Sequence, residues 1–287
     1  MIEVIAPGPL ATVQDLGRPG YAELGVGRSG AADLLSHRLG NRLVGNAEHA
    51  ATVEVTFGGL RIRVRADLLI AVTGAPAPVF VQSVQYGGNA PLRVPAGVEL
   101  RLGTPQAGLR SYLAVRGGIA CEPVLGSRST DLLSGLGPAP LRAGDTLAVG
   151  EDSDAAPIVD VAPVPGYQDE PVLRIRPGPR RDWFTPEAWA MLLDSPYTVT
   201  PDGNRIGVRL SGPPLGRAVQ AELPSEPLVL GAIQVPANGQ PLVFLADHPV
   251  TGGYPVIGVV CRADVGRAAQ LRPGQRVRFA ASPDAGR

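Results

Sequence analysis

Short segments typical of β-strands, separated by glycine and proline, run along almost the whole chain and limit the folds open to it. Several alternate apolar and polar residues, as strands with one solvated face do. The chain has 37 glycines and 30 prolines for turns, and closely spaced short strands are typical of barrels and sandwiches. We therefore predict a mainly β protein. The predicted strands lie at 52–57, 60–65, 79–85, 98–102, 111–115, 172–176, 197–200, 241–246, 256–260 and 276–279.

Only three segments favour helix. The first, 31–44, places Leu35, Leu39 and Leu43 at a spacing of four, which predicts one apolar stripe. The second, 185–193, begins with Thr185 as the predicted N-cap, followed by Pro186 at the first helical position. The third, 264–271, is short, and Asp264 is its predicted cap.

One acidic, proline-bearing stretch interrupts the strand pattern. It covers 151–171 and predicts a linker. We therefore expect an N-terminal β subdomain at 1–150 and a C-terminal β subdomain, with the candidate site, at 172–280. The last residues, 281–287, are expected to form a disordered tail.

Charge and hydropathy exclude several classes of partner. The 26 basic residues balance the 26 acidic residues, which argues against nucleic acid as a partner. No apolar run reaches the length of a membrane span, and the first residues lack the pattern of a signal peptide. We expect a cytoplasmic protein.

The basic residues are all arginine, because the sequence contains no lysine. This excludes a P-loop lysine, a Schiff-base lysine and a biotinyl-lysine on this chain. His37, His49 and His248 do not show the spacing of metal ligands. We therefore predict no metal site.

Polar residues concentrate in two neighbouring turns of the C-terminal half. Gln234 and Gln240 lie on either side of a Pro-Ala-Asn-Gly turn, and two primary amides can bind a planar amide or a carboxylate. The segment "ADHPVTGGYP" follows one strand later. We predict that it forms a hairpin whose rim unites Asp247, Thr251 and Tyr254 with the two glutamines. Gly252 and Gly253 can expose backbone N–H groups there; ordinary turn chemistry is the alternative.

Two turns of the N-terminal half are weaker candidates. Ser29 and Gly30 precede the first predicted helix, where free amides favour an anion or a structural cap. Arg128 and Ser129 lie in "GSRSTDLL", which suits either carboxylate or phosphate recognition or a structural turn network. The residues alone leave both alternatives open.

Several long motifs together resemble a known family. These are "TVQDLGRPGYAELGVGRSGAADLLSHRLGNRLVGN", "SYLAVRGGI", "VLGSRSTDLL", "RPGPRRDWFT", "YTVTPDGNRIGVRLSGPPL", "GAIQVPANGQP" and "ADHPVTGGYPVIG". They are similar, in order and spacing from about residue 2 to 280, to the C subunit of 5-oxoprolinase. That family is also called allophanate hydrolase subunit 2 or biotin-dependent carboxyltransferase.

The resemblance implies a cyclophilin-like architecture with two β-barrel subdomains, and activity only in a complex. The implied partners are a homologous protein like the B subunit of 5-oxoprolinase and a protein like its A subunit. The implied reaction is ATP-dependent opening of the 5-oxoproline ring to L-glutamate, with ATP shared with the partner subunits. Two alternatives remain: a carboxyltransferase component of the urea carboxylase type, with biotin on another chain, and a non-catalytic regulatory partner of a kinase-inhibitor-like homologue.

Residue roles follow from the same motifs. The resemblance implies Asp247 as a base or proton shuttle, with Glu226 as a further catalytic candidate and Arg205 as a further binding candidate. Gln234 and Gln240 would hold the amide or carboxylate, beside Tyr254. Thr251, Gly252 and Gly253 would contact a developing oxyanion. The chain departs from the family pattern at Asn204 and Ile206, which stand where Asp and Met are usual. Pro227 replaces a glycine, and Val256 stands where the family often carries a lysine.

Overall fold

The computed structural model describes residues 1–151, 159–163 and 166–283, which form two compact units. The first unit comprises Met1–Arg18, Ser29–Asp131 and Gly135–Gly166, and the second comprises Pro19–Arg28, Leu132–Ser134 and Tyr167–Arg287. The chain thus passes from one unit to the other inside the predicted linker at 151–171, of which 152–158 and 164–165 lie outside the described residues. Two short segments of the N-terminal half belong to the second unit, which no sequence pattern indicated.

The first unit contains twelve strands and one helix among its described residues. They are β1 (Ile2–Ala6), β2 (Leu10–Gln14), α1 (Leu34–Leu43), β3 (Thr52–Thr56), β4 (Arg61–Val64), β5 (Leu68–Gly74), β6 (Val79–Val81), β7 (Val84–Tyr86), β8 (Pro91–Val94), β9 (Glu99–Leu102), β10 (Arg110–Val115), β11 (Ile119–Ala120) and β12 (Thr146–Val149).

These strands form a seven-stranded sheet, β11-β12-β1-β4-β9-β6-β7, and a five-stranded sheet, β2-β3-β10-β5-β8. Apolar side chains of both sheets share one core. Val4 and Leu100 come from the first sheet, and Val55 and Leu113 come from the second. Two β-barrels were predicted. In this unit, however, the described strands pair into two sheets, and neither is a closed barrel.

The predicted strand at 79–85 is a hairpin in the structure. β6 and β7 pair through Val79↔Tyr86 and Val81↔Val84. Gln82 adopts a φ of 55° between them, a left-handed conformation that reverses the chain. The sequence did not reveal this turn, because neither glycine nor proline occurs between 79 and 85.

Helix α1 buries part of the predicted leucine stripe, since Leu43 is buried and Leu39 packs against the same apolar cluster, but it also buries several polar residues. Leu35 is 66% exposed, whereas the buried residues are Ser36, His37, Gly40, Asn41 and Leu43. A Cβ at Gly40 would lie 3.1 Å from both the Ala114 Cβ and the Thr73 Oγ1. Close approach of the helix to β5 and β10 therefore requires a small residue. The buried polar side chains of the helix have hydrogen-bond partners; for example, His37 Nδ1 lies 2.9 Å from Thr52 Oγ1.

The second unit contains nine strands, two α-helices and two short 3₁₀ helices, at Ala22–Leu24 and Arg181–Trp183, among its described residues. The strands and α-helices are β13 (Val172–Pro177), α2 (Pro186–Asp194), β14 (Tyr197–Val199), β15 (Gly207–Ser211), β16 (Glu226–Pro227), β17 (Ala232–Gln234), β18 (Leu242–Phe244), β19 (Thr251–Gly252), β20 (Val256–Val260), α3 (Arg262–Ala268) and β21 (Arg276–Ala281).

Seven of these strands close a barrel in the order β13-β20-β17-β18-β15-β14-β21. The parallel pairing of β21 with β13 completes it. Leu173, Ile233, Val243 and Val277 are fully buried. The prediction of a mainly β fold with few helices is confirmed. Ala281 belongs to β21, and the rest of the predicted tail from 284 onward lies outside the described residues.

The helix caps differ in part from their predictions. Thr185 occupies the N-cap of α2 before Pro186, but its side chain makes no cap hydrogen bond. Asp264 lies inside α3, whose N-cap is Cys261. Its carboxylate instead accepts hydrogen bonds from Arg174 N, Nε and Nη2 at 2.9, 2.7 and 2.9 Å, so it fixes α3 against β13. No helix in the described residues is long and apolar enough to cross a membrane.

Candidate functional site

The segment 245–255 is a crossover connection, and the predicted hairpin there is wrong. β18 and β20 do not pair with each other, because β17 lies between them and is antiparallel to both. The two strands therefore run in the same direction, and the connection must return along the barrel. Within it, β19 pairs with β16 through Glu226↔Gly252 and Pro227↔Thr251.

This pairing places Glu226 beside Gly252, and Gly252 in turn lies against Gln234. A Cβ at Gly252 would lie 2.7 Å from the Gln234 Nε2 and 2.7 Å from the Leu228 Cδ1. Gln234 is 4% exposed, and its Nε2 donates a hydrogen bond to the Tyr254 carbonyl at 3.0 Å. Its Oε1 makes no hydrogen bond within the described part of the chain. Gln234 therefore offers an oriented acceptor.

Arg180 holds Glu226 in a bidentate ion pair. Arg180 Nε lies 2.8 and 2.9 Å from the two Glu226 oxygens, and Arg180 Nη2 also donates to Oε1. Both side chains remain partly exposed, at 37% and 27%. The hydrogen bonds from Arg180 lower the pKa of Glu226 and keep this carboxylate ionised.

Arg217 extends the same cluster to the Tyr254 ring. Its guanidinium lies 5.9 Å from the ring centroid, and its Nη2 donates to the Val235 carbonyl at 2.6 Å. Its Nε is buried without a hydrogen-bond partner in the described residues. Tyr254 is 49% exposed, and Thr251 and Gly253 are exposed beside it.

We call this set of connected residues the Gln234 cluster. It consists of Arg180, Arg217, Glu226, Gln234, Gly252 and Tyr254. Four of these were predicted from the sequence, and the two arginines were missed. "RPGPRRDWFT" marked the region of Arg180, but nothing local shows that Arg180 meets a carboxylate 46 residues away.

Asp247 and Arg205 do not belong to this cluster. Arg205 Nε and Nη2 donate to the two Asp247 oxygens at 2.9 and 3.0 Å, and Leu132 N donates to Oδ2 at 3.1 Å. Both side chains are inaccessible to solvent. These contacts favour a structural role over the predicted roles of Asp247 as base and Arg205 as substrate-binding residue, because a base must reach the proton it removes.

The side-chain amide of Gln240 is hydrogen-bonded to the protein backbone. Its Oε1 accepts from Gly212 N at 2.8 Å, and its Nε2 donates to the Gly212 carbonyl at 3.1 Å. It lies before β18, whereas Asp247 follows β18. The predicted rim is therefore wrong in uniting Gln240 with Asp247, because β18 separates these two residues.

In the first unit, Ser129 and Arg128 bind the protein's own Asp15 carboxylate. Ser127 and Ser129 Oγ both donate to Asp15 Oδ1 at 2.6 Å, and Arg128 N donates to Oδ2 at 2.6 Å. This network fits the structural alternative for "GSRSTDLL".

Ser29 and Gly30 lie before the helix start rather than on it. α1 begins at Leu34, and its N-cap Asp33 accepts from Ser36 N at 3.2 Å. Ser29 Oγ donates to the Thr130 carbonyl at 3.1 Å. Gly30 has a φ of 95°, and a Cβ there would lie 2.9 Å from Gly17 N. These contacts place both residues in a packed turn.

Comparison with known proteins identifies the family. Residues 24–281 match the family described as carboxyltransferase domain, subdomain A and B. The chain belongs to this family, as the sequence motifs predicted.

Three similar proteins illustrate the match. The C subunit of 5-oxoprolinase from Escherichia coli (strain K12) is 38% identical over 284 residues, which covers 97% of this chain and 90% of that protein. The crystal structure of TTHA0988 has a TM-score of 0.89 at 36% identity, covering 97% of this chain and 55% of that one. The K. lactis urea amidolyase has a TM-score of 0.91 at 31% identity, covering 98% of this chain and 18% of that one. The chain therefore spans about half of TTHA0988 and a small part of the amidolyase.

Proposed function

We propose that the chain is one subunit of an ATP-dependent 5-oxoprolinase, which opens the ring amide of 5-oxoproline to L-glutamate. The observation that carries this proposal is the match to the C subunit of 5-oxoprolinase over 97% of this chain and 90% of the E. coli protein.

The Gln234 cluster suits this substrate. 5-Oxoproline is a small planar lactam that presents an N–H donor, a carbonyl acceptor and a carboxylate. Gln234 Oε1 is an oriented acceptor for the N–H, and a guanidinium is the side chain best matched to a carboxylate. The exposed Tyr254 ring, 5.9 Å from the Arg217 guanidinium, provides a flat surface beside them.

Glu226 replaces Asp247 as the carboxylate that can contact a bound ligand. It is partly exposed and ionised beside Arg180, whereas Asp247 is enclosed with Arg205. We assign this chain the tasks of binding and orienting the lactam.

The chain needs partners for the complete reaction. Its sequence has no lysine and hence no P-loop lysine, so we propose that ATP is held together with two partners. One is a homologue like the B subunit of 5-oxoprolinase, and the other is a protein like its A subunit. ATP supplies the free energy for opening a stable amide. We expect the complex in the cytoplasm.

Carboxyl transfer is the second candidate, favoured by the similarity to K. lactis urea amidolyase at a TM-score of 0.91. Biotin would then be carried by another polypeptide, because this chain has no lysine for its attachment. The substrate would again be a small amide, and the Gln234 cluster would bind it.

A substrate panel separates the candidates. The chain is assayed alone and with both partner proteins on 5-oxoproline with ATP, and on urea with a carboxybiotinyl carrier. The proposal expects glutamate and ADP in the complete mixture only. Carboxylation of urea without loss of 5-oxoproline would favour carboxyl transfer. A tight complex that turns over neither substrate would contradict both and favour regulation of a partner.

A further inference from the structure

The Arg180–Glu226 pair differs from two other ion pairs of the same unit, in which the carboxylate is buried. Asp264 is 1% exposed and receives a backbone hydrogen bond in addition to the Arg174 guanidinium. Asp247 is likewise buried and receives Leu132 N. Glu226 is 27% exposed, and Arg180 is its only hydrogen-bond donor among the described side-chain contacts. Because this pair faces solvent, water can hydrate both charges when they separate, so separating them costs less than breaking a buried pair.

Arg180 itself is held in place by its backbone. Its N–H donates to the Val256 carbonyl at 3.2 Å, and Val256 pairs with Gln234 across β20 and β17. Glu226 also lies near Gln234, because it pairs with Gly252, which packs against the Gln234 side chain. The backbone of Arg180, the residue that binds Glu226, is therefore fixed next to Gln234, whose amide offers the oriented acceptor.

We propose that Glu226 is an internal competitor for Arg180, and that the carboxylate of the substrate binds Arg180 by displacing it. This inference rests on the proposed function and adds to it the residue that recognises the carboxylate. Glu226 presents two oxygens to the arginine fork, which is the geometry that any carboxylate ligand adopts there. The displaced Glu226 then borders the bound lactam.

Two ligands that share a ring test this inference. 5-Oxoproline carries the carboxylate, and 2-pyrrolidinone is the same lactam without it. Binding of each to the complete assembly is measured by calorimetry without ATP. Glu226→Gln removes the competitor, so 5-oxoproline should bind about two- to fivefold more tightly, and 2-pyrrolidinone should be unaffected. Arg180→Gln should weaken 5-oxoproline about tenfold and leave 2-pyrrolidinone unchanged.

Glu170→Gln is the matched control. Glu170 is 29% exposed and pairs with Arg276 and Arg278, and its replacement should alter neither affinity. If 5-oxoproline binds and Glu226→Gln leaves its affinity unchanged or weakens it, the competitor role is wrong while the proposed function stands. If Arg180→Gln weakens both lactams equally, Arg180 does not recognise the carboxylate. Failure of the complete assembly to bind or consume 5-oxoproline would overturn the proposed function as well.

Discussion

Arg205 and Asp247 form an ion pair in which neither side chain is accessible to solvent, and Leu132 N also donates to the Asp247 carboxylate. Removing one partner of such a pair leaves an uncompensated buried charge. Asp247→Asn should therefore lower the free energy of unfolding by about 3–5 kcal/mol, measured by urea denaturation. The exposed Glu170→Gln should change it by less than about 1 kcal/mol. A stable Asp247→Asn chain whose assembly is inactive would restore Asp247 as a catalytic candidate.

Gly252 and Gly253 form a matched pair for testing the site. A Cβ at Gly252 would lie 2.7 Å from the ends of the Gln234 and Leu228 side chains, whereas at Gly253 the nearest atom is the Leu223 carbonyl at 3.4 Å. Gly252→Ala should displace the flexible Gln234 amide without unfolding the chain. We expect about a tenfold rise in KM for 5-oxoproline, from the loss of one hydrogen bond, and no change for Gly253→Ala. Equal KM values for the two variants would argue against Gln234 as a ligand.

Val256 occupies the position where the family often carries a lysine. It is 7% exposed and packs in an apolar cluster with Leu228 and Phe244. Val256→Lys should lower the free energy of unfolding by about 2–4 kcal/mol, because the ammonium loses its hydration there. Val229→Lys, at a position 54% exposed, should be nearly neutral in the same urea titration. A stable Val256→Lys chain with faster turnover would show that a lysine at this position reaches the ligand.

Gln240 should behave as a structural residue. Its amide pairs with both the N–H and the carbonyl of Gly212, so Gln240→Ala leaves two backbone groups to find new partners. We expect a loss of about 1–3 kcal/mol in the free energy of unfolding and an unchanged KM for 5-oxoproline. A selective rise in KM with full stability would instead assign Gln240 to the substrate.

His37 should make stability depend on pH. Burial lowers its pKa to about 4 from 6.5, outweighing the hydrogen bond to the Glu48 carbonyl and the Asp15 and Glu54 carboxylates, which act in the opposite direction. Between these values the unfolded chain binds the extra proton, so stability falls as pH falls from about 6.5 to 4. The full effect is about 3 kcal/mol.

Urea titrations at several pH values across this window check that slope. His37→Gln should flatten it, whereas His49→Gln, at an exposed position, should not. A slope that His37→Gln leaves unchanged would assign the pH dependence to other groups.

Local patterns predicted about half of the described strands, because side chains alternate between two faces along each strand. They failed where pairing is non-local. β18 and β20 run in the same direction because β17 lies between them and is antiparallel to both. The segment 245–255, which was predicted to be a hairpin, is therefore a crossover connection. The leucine stripe of α1 was correct only in part, because Leu35 is exposed and close packing at Gly40 buries polar residues beside Leu43.

The sequence predicted the amide, glycine, tyrosine and carboxylate residues of the candidate site but missed its two arginines. Gln234, Gly252 and Tyr254 lie near one another in the sequence and in the fold. Arg180 and Arg217 reach them only through the closure of the barrel. Asp247 and Arg205 looked equally polar in the sequence, and only their burial distinguishes a structural pair from a site.

The most direct test of the account is the yield of glutamate and ADP from 5-oxoproline and ATP in the reconstituted assembly. We predict equal amounts of the two products, formed only when this chain is present and lost when it carries Gln234→Leu. Glutamate formation by the partner proteins alone, or by an assembly indifferent to Gln234→Leu, would contradict the account.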